Sequence, residues 1–308
     1  MRNGVAGRVR RSVRLRTRLR DQRDWWAYRR TFTQSLARDI DQRRESDNCV
    51  VVHLYHVHLW PEISSHIRRL PDSALDVFIT TPPEHLAAAR AAVGADFRAR
   101  LISVPNRGRD VLPFIKTARI LEMAGYSAVL KLHSKESVHH PDAAGWFGRL
   151  LDQLLPADEA LTEEVLKTLA VKGTGVIGPQ DSYYPSRHYL SRNRDLIAEL
   201  VGELYGPSRG TSIMDVRLPS LGYFAGTMFW ARLDAISSVL SVAPQRFVGE
   251  GGQVDATMAH ALERLFTFVP QIEGRSVYTM GQRGLRRVMV PGPPHAGRTG
   301  PLARSTDG

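Results

Sequence analysis

The chain is poor in cysteine: Cys49 stands alone among 308 residues, so no disulfide framework can form within it. It also lacks any apolar run near the roughly 18 residues that a membrane-spanning helix needs. The pattern of a secretory signal is missing from its first residues, and together with the lone cysteine this sets the expectation of a cytoplasmic location. No G-x-G-x-x-G follows the first apolar strand, which disfavours a dinucleotide-binding dehydrogenase, and there is no Walker A lysine loop. Lysine is absent from residues 1–44, where fourteen arginines face four aspartates.

That local excess of +10 accounts for nearly all of the chain's net +11, so the basic character belongs to an arm and the remainder is close to neutral. Within the arm, Trp25, Trp26, Phe32, Leu36 and Ile40 can form the apolar stripe of a helix. A basic amphipathic segment with aromatics suits an anionic membrane surface, each arginine near it contributing about 1 kcal/mol. The alternative is a helix packed on the domain behind a disordered leader. Nucleic acid is not expected as a partner, because no recognisable reading module follows.

Beyond the arm, VVHLYHVHLWPEI (51–63) reads as the first core strand, running into a turn at Pro61. His56 and His58 would share a strand face, but no carboxylate or cysteine stands with them, and no metal is expected. Residues 75–93 give strand, TTPP turn and Ala-rich helix, with Thr80 and Thr81 at the strand's carboxyl end. Residues 101–135 repeat the unit. In LISVPNRGRDVLPFIKTARILEMAGYSAVLKLHSK, positions Val111, Phe114, Ile115, Ala118 and Leu121 give a helix one apolar face. Polar groups remain at its two ends, Asn106, Arg107, Arg109 and Asp110 before it and Lys131, His133, Ser134 and Lys135 after it. Three such units in succession require a parallel sheet with right-handed crossovers, and the fold class is α/β with helices on both faces.

Turns at the carboxyl ends of such strands open into the ligand crevice. The NRGRD turn opens a helix where backbone donors, the helix dipole and two guanidinium groups would welcome an anion such as a sugar nucleotide's diphosphate. The competing reading leaves the arginines solvated and makes Asp110 a helix cap. Further along, Trp146, Leu150, Leu151, Leu154 and Leu155 form a buried helical stripe, and GVIGPQDSYY (175–184) is a short strand. SLGYFAGTMFWARLDAISSVL gives a strand in which Gly222 and Gly226 allow close approach, then a helix from about Leu233. A glycine-rich loop follows, then a helix with Asp255 at its start and His260, Glu263 and Arg264 along it. The expected organisation is an arm over 1–45, one domain over 46–280, and a Gly-, Pro- and Arg-rich disordered tail over 281–308.

The order of the NRGRD turn, AGYSAVLKLHSK, Trp146, YFAGTMFWARLDAI and GQVDATMAHALERLF resembles the rhamnan synthesis protein F family of bacterial polysaccharide glycosyltransferases, from about Val50 to about Val277. It is similar, more distantly, to the large inverting GT-A glycosyltransferases. The resemblance implies a GT-A-like domain that moves L-rhamnose from dTDP-L-rhamnose to a lipid-linked or growing cell-surface polysaccharide, at the inner face of the cell membrane. It also exposes a departure. Where GT-A enzymes place DxD carboxylates to hold a divalent metal, this chain has Lys131, His133, Ser134 and Lys135. Cations cannot hold a metal. The expectation is therefore direct neutralisation of the leaving diphosphate by lysine and protonated histidine, with no metal or other cofactor. Inverting transfer needs a general base, for which Asp255 is the first candidate and Glu250 the second. Thr80 is expected beside the donor; Trp146, Tyr223 and His260 are candidate acceptor contacts, although Trp146 and Tyr223 equally suit the core.

Overall fold

A computed structural model describes residues 44–71, 74–95, 99–135, 143–249 and 255–289. The arm up to residue 43 lies outside the described residues, as do Glu250 and the tail from 290. The apolar run NCVVVH forms β1 (Asn48–His53), buried over its last five residues, as expected of a strand covered on both faces. The strand ends there. Val57–Leu59 form a single turn, and Trp60–Ile67 form helix α1, with Pro61 in its first turn, where the missing amide proton is not needed. This corrects the expected strand over 51–63: His56 and His58 lie beyond β1 rather than on a strand face, with ring centroids 6.0 Å apart and nearly edge to face.

The next units follow the sequence pattern closely. They are β2 (Asp76–Thr81), α2 (Leu86–Val93), β3 (Ala99–Ser103), α3 (Val111–Met123) and β4 (Ala128–His133). Then come α4 (Ala143–Leu154), α5 (Glu159–Ala170), β5 (Thr174–Pro179), the short β6 (Tyr183–Pro185) and α6 (Arg194–Tyr205). YFAGTMFWAR is two strands and not one. β7 (Gly222–Phe224) pairs with β6 in a small sheet of its own, and β8 (Phe229–Arg232) joins the main sheet. Helices α7 (Leu233–Leu240) and α8 (Met258–Ile272) precede β9 (Ser276–Gly281) and β10 (Gly284–Arg287). The last hairpin corrects the expected tail, since residues 284–287 pair antiparallel with β9 and belong to the sheet.

The eight-stranded sheet has the order β10-β9-β5-β8-β4-β1-β2-β3. Strands β1 to β4 are mutually parallel; β8 runs against both β4 and β5, and β9 runs with β5. Apolar residues of β1 alternate between the two faces. Cys49 and Val51 join Phe78, Phe114, Phe229 and Phe266 under α3, α6, α7 and α8. Val50 and Val52 join Ile79, Leu130 and Trp230 under α1, α2, α4 and α5. Each fully buried large side chain contributes on the order of 1.5–3 kcal/mol. The chain starts in the middle at β1, runs outward to β3, then crosses back to place β4 on the other side of β1. The order reverses between β1 and β4, and open α/β sheets bind ligands outside the carboxyl ends of strands at such a reversal.

Candidate functional site

At that reversal His53 closes β1, His133 closes β4, and the two are register partners, with Thr80 of β2 the partner of His53 on the other side. His53 Nδ1 and Thr80 Oγ1 share a hydrogen bond of 2.9 Å. Burial lowers the pKa of His53 to about 3, so the ring is neutral. Two residues back along β4, Lys131 is 1% exposed. Its ammonium donates to the Asp110 carboxylate and, at 2.8 Å, to the Thr227 carbonyl, and lies 5.4 Å from the centre of the Phe114 ring. The two clusters picked out in the sequence, NRGRD and KLHSK, therefore meet in one ion pair across 21 residues.

Burial pushes the Asp110 carboxyl up, but the basic side chains around it and the hydrogen bond from Lys131 hold the group below its ordinary value. For Lys131 burial prevails and lowers the pKa, with Asp110 pulling it back. The Lys131 nitrogen donates to both neighbours, and Asp110, held below its ordinary value, faces it as a carboxylate. Asp110 makes no capping bond to α3. The amides of Val111 and Leu112 both reach the Gly108 carbonyl at 3.1 Å, so part of the helix's opening turn is already satisfied.

His133 differs from expectation. Its Nε2 donates to the Gly226 carbonyl at 2.6 Å, which fixes the tautomer. Burial lowers its pKa and prevails over the nearby Asp110, which raises it, with Lys131 and Lys135 adding to the lowering, so the imidazole is neutral and not the expected cation. Ser134 works on the backbone: its Oγ accepts from the amides of Tyr55 and His56, each at 2.8 Å, tying the loop after β1 to the end of β4. Lys135 lies with its ammonium 4.7 Å from the centre of the Trp146 ring. Trp146 is 7% exposed and packs on α4's leucines.

The arginines of the turn divide their work. Arg107 is buried and donates to the Phe247 carbonyl, Nε at 2.8 Å. Gly108, at φ 66°, has no room for a side chain, because a Cβ would lie 2.5 Å from the Phe247 ring. Asn106 is half-buried in the same turn. Arg109 reaches across to α8, its Nη1 donating to His260 Nε2 at 3.1 Å, so that His260 Nδ1 donates to Thr257 Oγ1 at 2.8 Å. Burial, then Arg109, lowers the His260 pKa.

On the opposite wall Asp255 precedes α8 by three residues and accepts from Asn193 Nδ2 at 2.7 Å. Burial raises its pKa, but the Asn193 bond and the Ala256 amide outweigh burial and keep it low. Asn193, fully buried just before α6, was not legible as a site residue, because nothing in SRNRD distinguishes it from a turn asparagine. Glu263, in the sequence only one of the polar residues along this helix, has two partners. It accepts from Arg264 at 3.2 Å, and also from the Gly226 amide at 2.7 Å, so it grips the same turn whose carbonyls take Lys131 and His133. Tyr223 is corrected as an acceptor contact: it is 4% exposed, with the Arg264 guanidinium 4.8 Å above its ring and Phe268 edge-on.

Among the described residues, three non-glycine residues adopt left-handed backbone: Arg109 (φ 53°), Thr227 (φ 55°) and Ala256 (φ 61°). All three belong to this network. Such conformations cost on the order of 1–3 kcal/mol each and gather where function demands a geometry. Also among the described residues, no group of three or more His, Cys, Asp or Glu is placed to hold a metal ion.

Residues 27–274 match the model of the family described as rhamnan synthesis protein F. The chain is 28% identical over 269 residues to a protein named as uncharacterised protein WxcX in two strains of Xanthomonas campestris pv. campestris. The aligned region covers 85% of this chain but 37% of WxcX, so the chain spans well under half the length of the curated relatives it matches. With the family model covering most of its length and an α/β sheet bearing a polar site at its strand reversal, the chain belongs to the rhamnan synthesis protein F family, a grouping tied to polysaccharide biosynthesis.

Proposed function

We propose that the chain is a glycosyltransferase that takes a sugar, L-rhamnose in our reading, from a nucleoside diphosphate and passes it with inversion to a polysaccharide acceptor. The observation that carries this is the meeting of the NRGRD turn and the KLHSK strand end at the sheet's reversal, on strained backbone. Arg109 and Lys135 are the cations we assign to the donor's diphosphate. We assign Lys131 to the donor side as well, its charge shared with Asp110 and the Thr227 carbonyl behind them. Oriented charge of this kind stabilises a leaving diphosphate without reorganisation during the reaction. In this reading fixed cations take the part a divalent metal plays elsewhere. Asp255, ionised and aligned by Asn193, receives the acceptor hydroxyl's proton. Glu250 is the second candidate for that step. We assign the Arg-rich arm to the anionic membrane face, where a lipid-linked acceptor would be presented.

A thermal-shift screen tests the donor. At a hundredfold excess over Kd, a nucleoside diphosphate sugar should stabilise the protein by about 2.7 kcal/mol, roughly 5–10 °C in Tm, and EDTA should leave the shift intact. No shift with any nucleotide sugar, or one abolished by EDTA, sinks the reading. Asp255→Asn should retain that shift while losing glycosyl transfer by a factor of about 100 or more. The burial of Lys131 and His133 favours one alternative, a non-catalytic carbohydrate-binding or scaffold domain. In that case Asp255→Asn leaves cellular polysaccharide unchanged.

A further inference from the structure

A second polar concavity lies on the same edge of the sheet. At the carboxyl ends of β5 and β9 a cleft of about 350 Å³ is lined by Gln153, Gln180, Asp181, Gln282, Arg283 and Arg286. That volume falls in the range of about 300–1,000 Å³ typical of ligand sites, but the lining is amide and charge rather than hydrocarbon. Several of its groups are set in advance. Gln153 Nε2 donates to Asp181 Oδ2 at 2.7 Å, while the Asp181 amide donates to Gln153 Oε1 at 3.2 Å. Gln180 lies across Gly281 so closely that a Cβ there would sit 2.5 Å from its Oε1. Asp181 is the one acid in the lining, and its carboxylate is engaged by Gln153. Arg283 and Arg286 form no ion pair among the described residues, and against the single charge of Asp181 they leave the lining net positive.

The cleft is placed to cooperate with the candidate site. β5 runs in the same direction as β4 and lies two strands from it, roughly 10 Å at ordinary strand spacing. Helix α4 spans the same interval, because Trp146 and Gln153 are seven residues apart, on one face and about 10 Å along the axis. Amides and a fixed carboxylate recognise hydroxyl groups, and two guanidinium forks match the charge of a phosphate better than that of a single carboxylate.

We propose that this cleft binds the acceptor as a phosphorylated saccharide, with hydroxyls on the glutamines and the phosphate or diphosphate on Arg283 and Arg286. The word acceptor rests on the glycosyl-transfer reading; the binding does not. Calorimetric titration of the full chain should use glucose 1-phosphate and rhamnose 1-phosphate, with the free sugars, inorganic phosphate and glucuronic acid as controls. At least one sugar phosphate should bind about tenfold or more tightly than any control, and Arg283→Ala with Arg286→Ala should weaken it by at least about tenfold. The nucleotide-sugar thermal shift should survive in that variant. A short-alkyl diphosphate of the same sugar distinguishes the sources: tighter binding than the simple ester points to a lipid-linked acceptor, weaker binding to a soluble one, and both uphold the cleft. The proposal is overturned if neither sugar phosphate binds, if inorganic phosphate or glucuronic acid binds equally well, or if the arginine variant binds as the parent does. Loss of the nucleotide-sugar shift alone, with sugar phosphate still bound, would condemn the donor reading and leave the cleft standing.

Discussion

Lys131 shows what a residue type can and cannot announce. A lysine in the middle of AVLKLH is conspicuous, and its alternation with His133 puts both on one face of β4. Its burial to 1% is not visible in the sequence, since that depends on Asp110 arriving from the start of α3 and on a carbonyl from a turn 96 residues away. The expected protonated histidine failed for the same reason. Burial costs a charge more than it costs a neutral ring, and only the fold reveals the burial. The effect gives a measurable pH dependence through His53. Its folded pKa of about 3 lies below the roughly 6.5 of an unfolded histidine. Between those values the unfolded chain binds the extra proton, so stability falls as pH drops from about 6.5 toward 3. Denaturant titrations at pH 7 and pH 5 should therefore show a smaller loss for His53→Gln than for the parent. An equal loss would mean that the ring titrates normally in the fold.

At the scale of elements, hydrophobic period carried the reading furthest. Val111, Phe114, Ile115, Ala118 and Leu121 are all buried on α3, and the stripe from Trp146 to Leu155 is buried along and just past α4. What misled was a run of apolar letters without its breaks. YFAGTMFW reads as one strand, yet Gly226 and Thr227 turn the backbone and assign its halves to different sheets. VVHLYHVHLWPEI likewise ends as a strand at His53, because the chain folds there into the turn and helix that cover the sheet. Glycines mark the close contacts between elements. The small sheet packs Phe224 of β7 over Gly178 of β5, where a Cβ would meet ring carbons at 2.4–2.6 Å. Gly178→Ala should destabilise the protein by about 1–3 kcal/mol, read as a lower urea midpoint with an unchanged m value. A neutral result would show that the small sheet can shift away from the large one.

For the whole molecule, composition and layout carry different messages. The parallel run of β1 to β4, the helices on both faces and the clustering of polar groups at strand ends follow from the repeated strand-turn-helix pattern. The wall carrying Asp255, Asn193 and Glu263 does not, for it is assembled from segments some 30 to 60 residues apart whose meeting only topology decides. Among the described residues no helix is long and apolar enough to cross a membrane. The concentration of charge in residues 1–44 makes a separate prediction. The full chain should sediment with vesicles containing anionic lipid at low salt and release as salt rises and the Debye length shrinks below about 10 Å. A chain lacking residues 1–43 should stay in the supernatant, and equal sedimentation of the two would remove the arm from the account.

The reversed direction of β8 has a further consequence. Because this strand descends between two ascending ones, its entry, rather than its exit, meets the crevice, and it delivers the carbonyls of Gly226 and Thr227 to His133 and Lys131. Main-chain oxygens cannot be deleted by exchanging one amino acid for another. The lock on these two residues can thus outlast drift in the letters of the turn itself, and it opens only when the strand slides out of register.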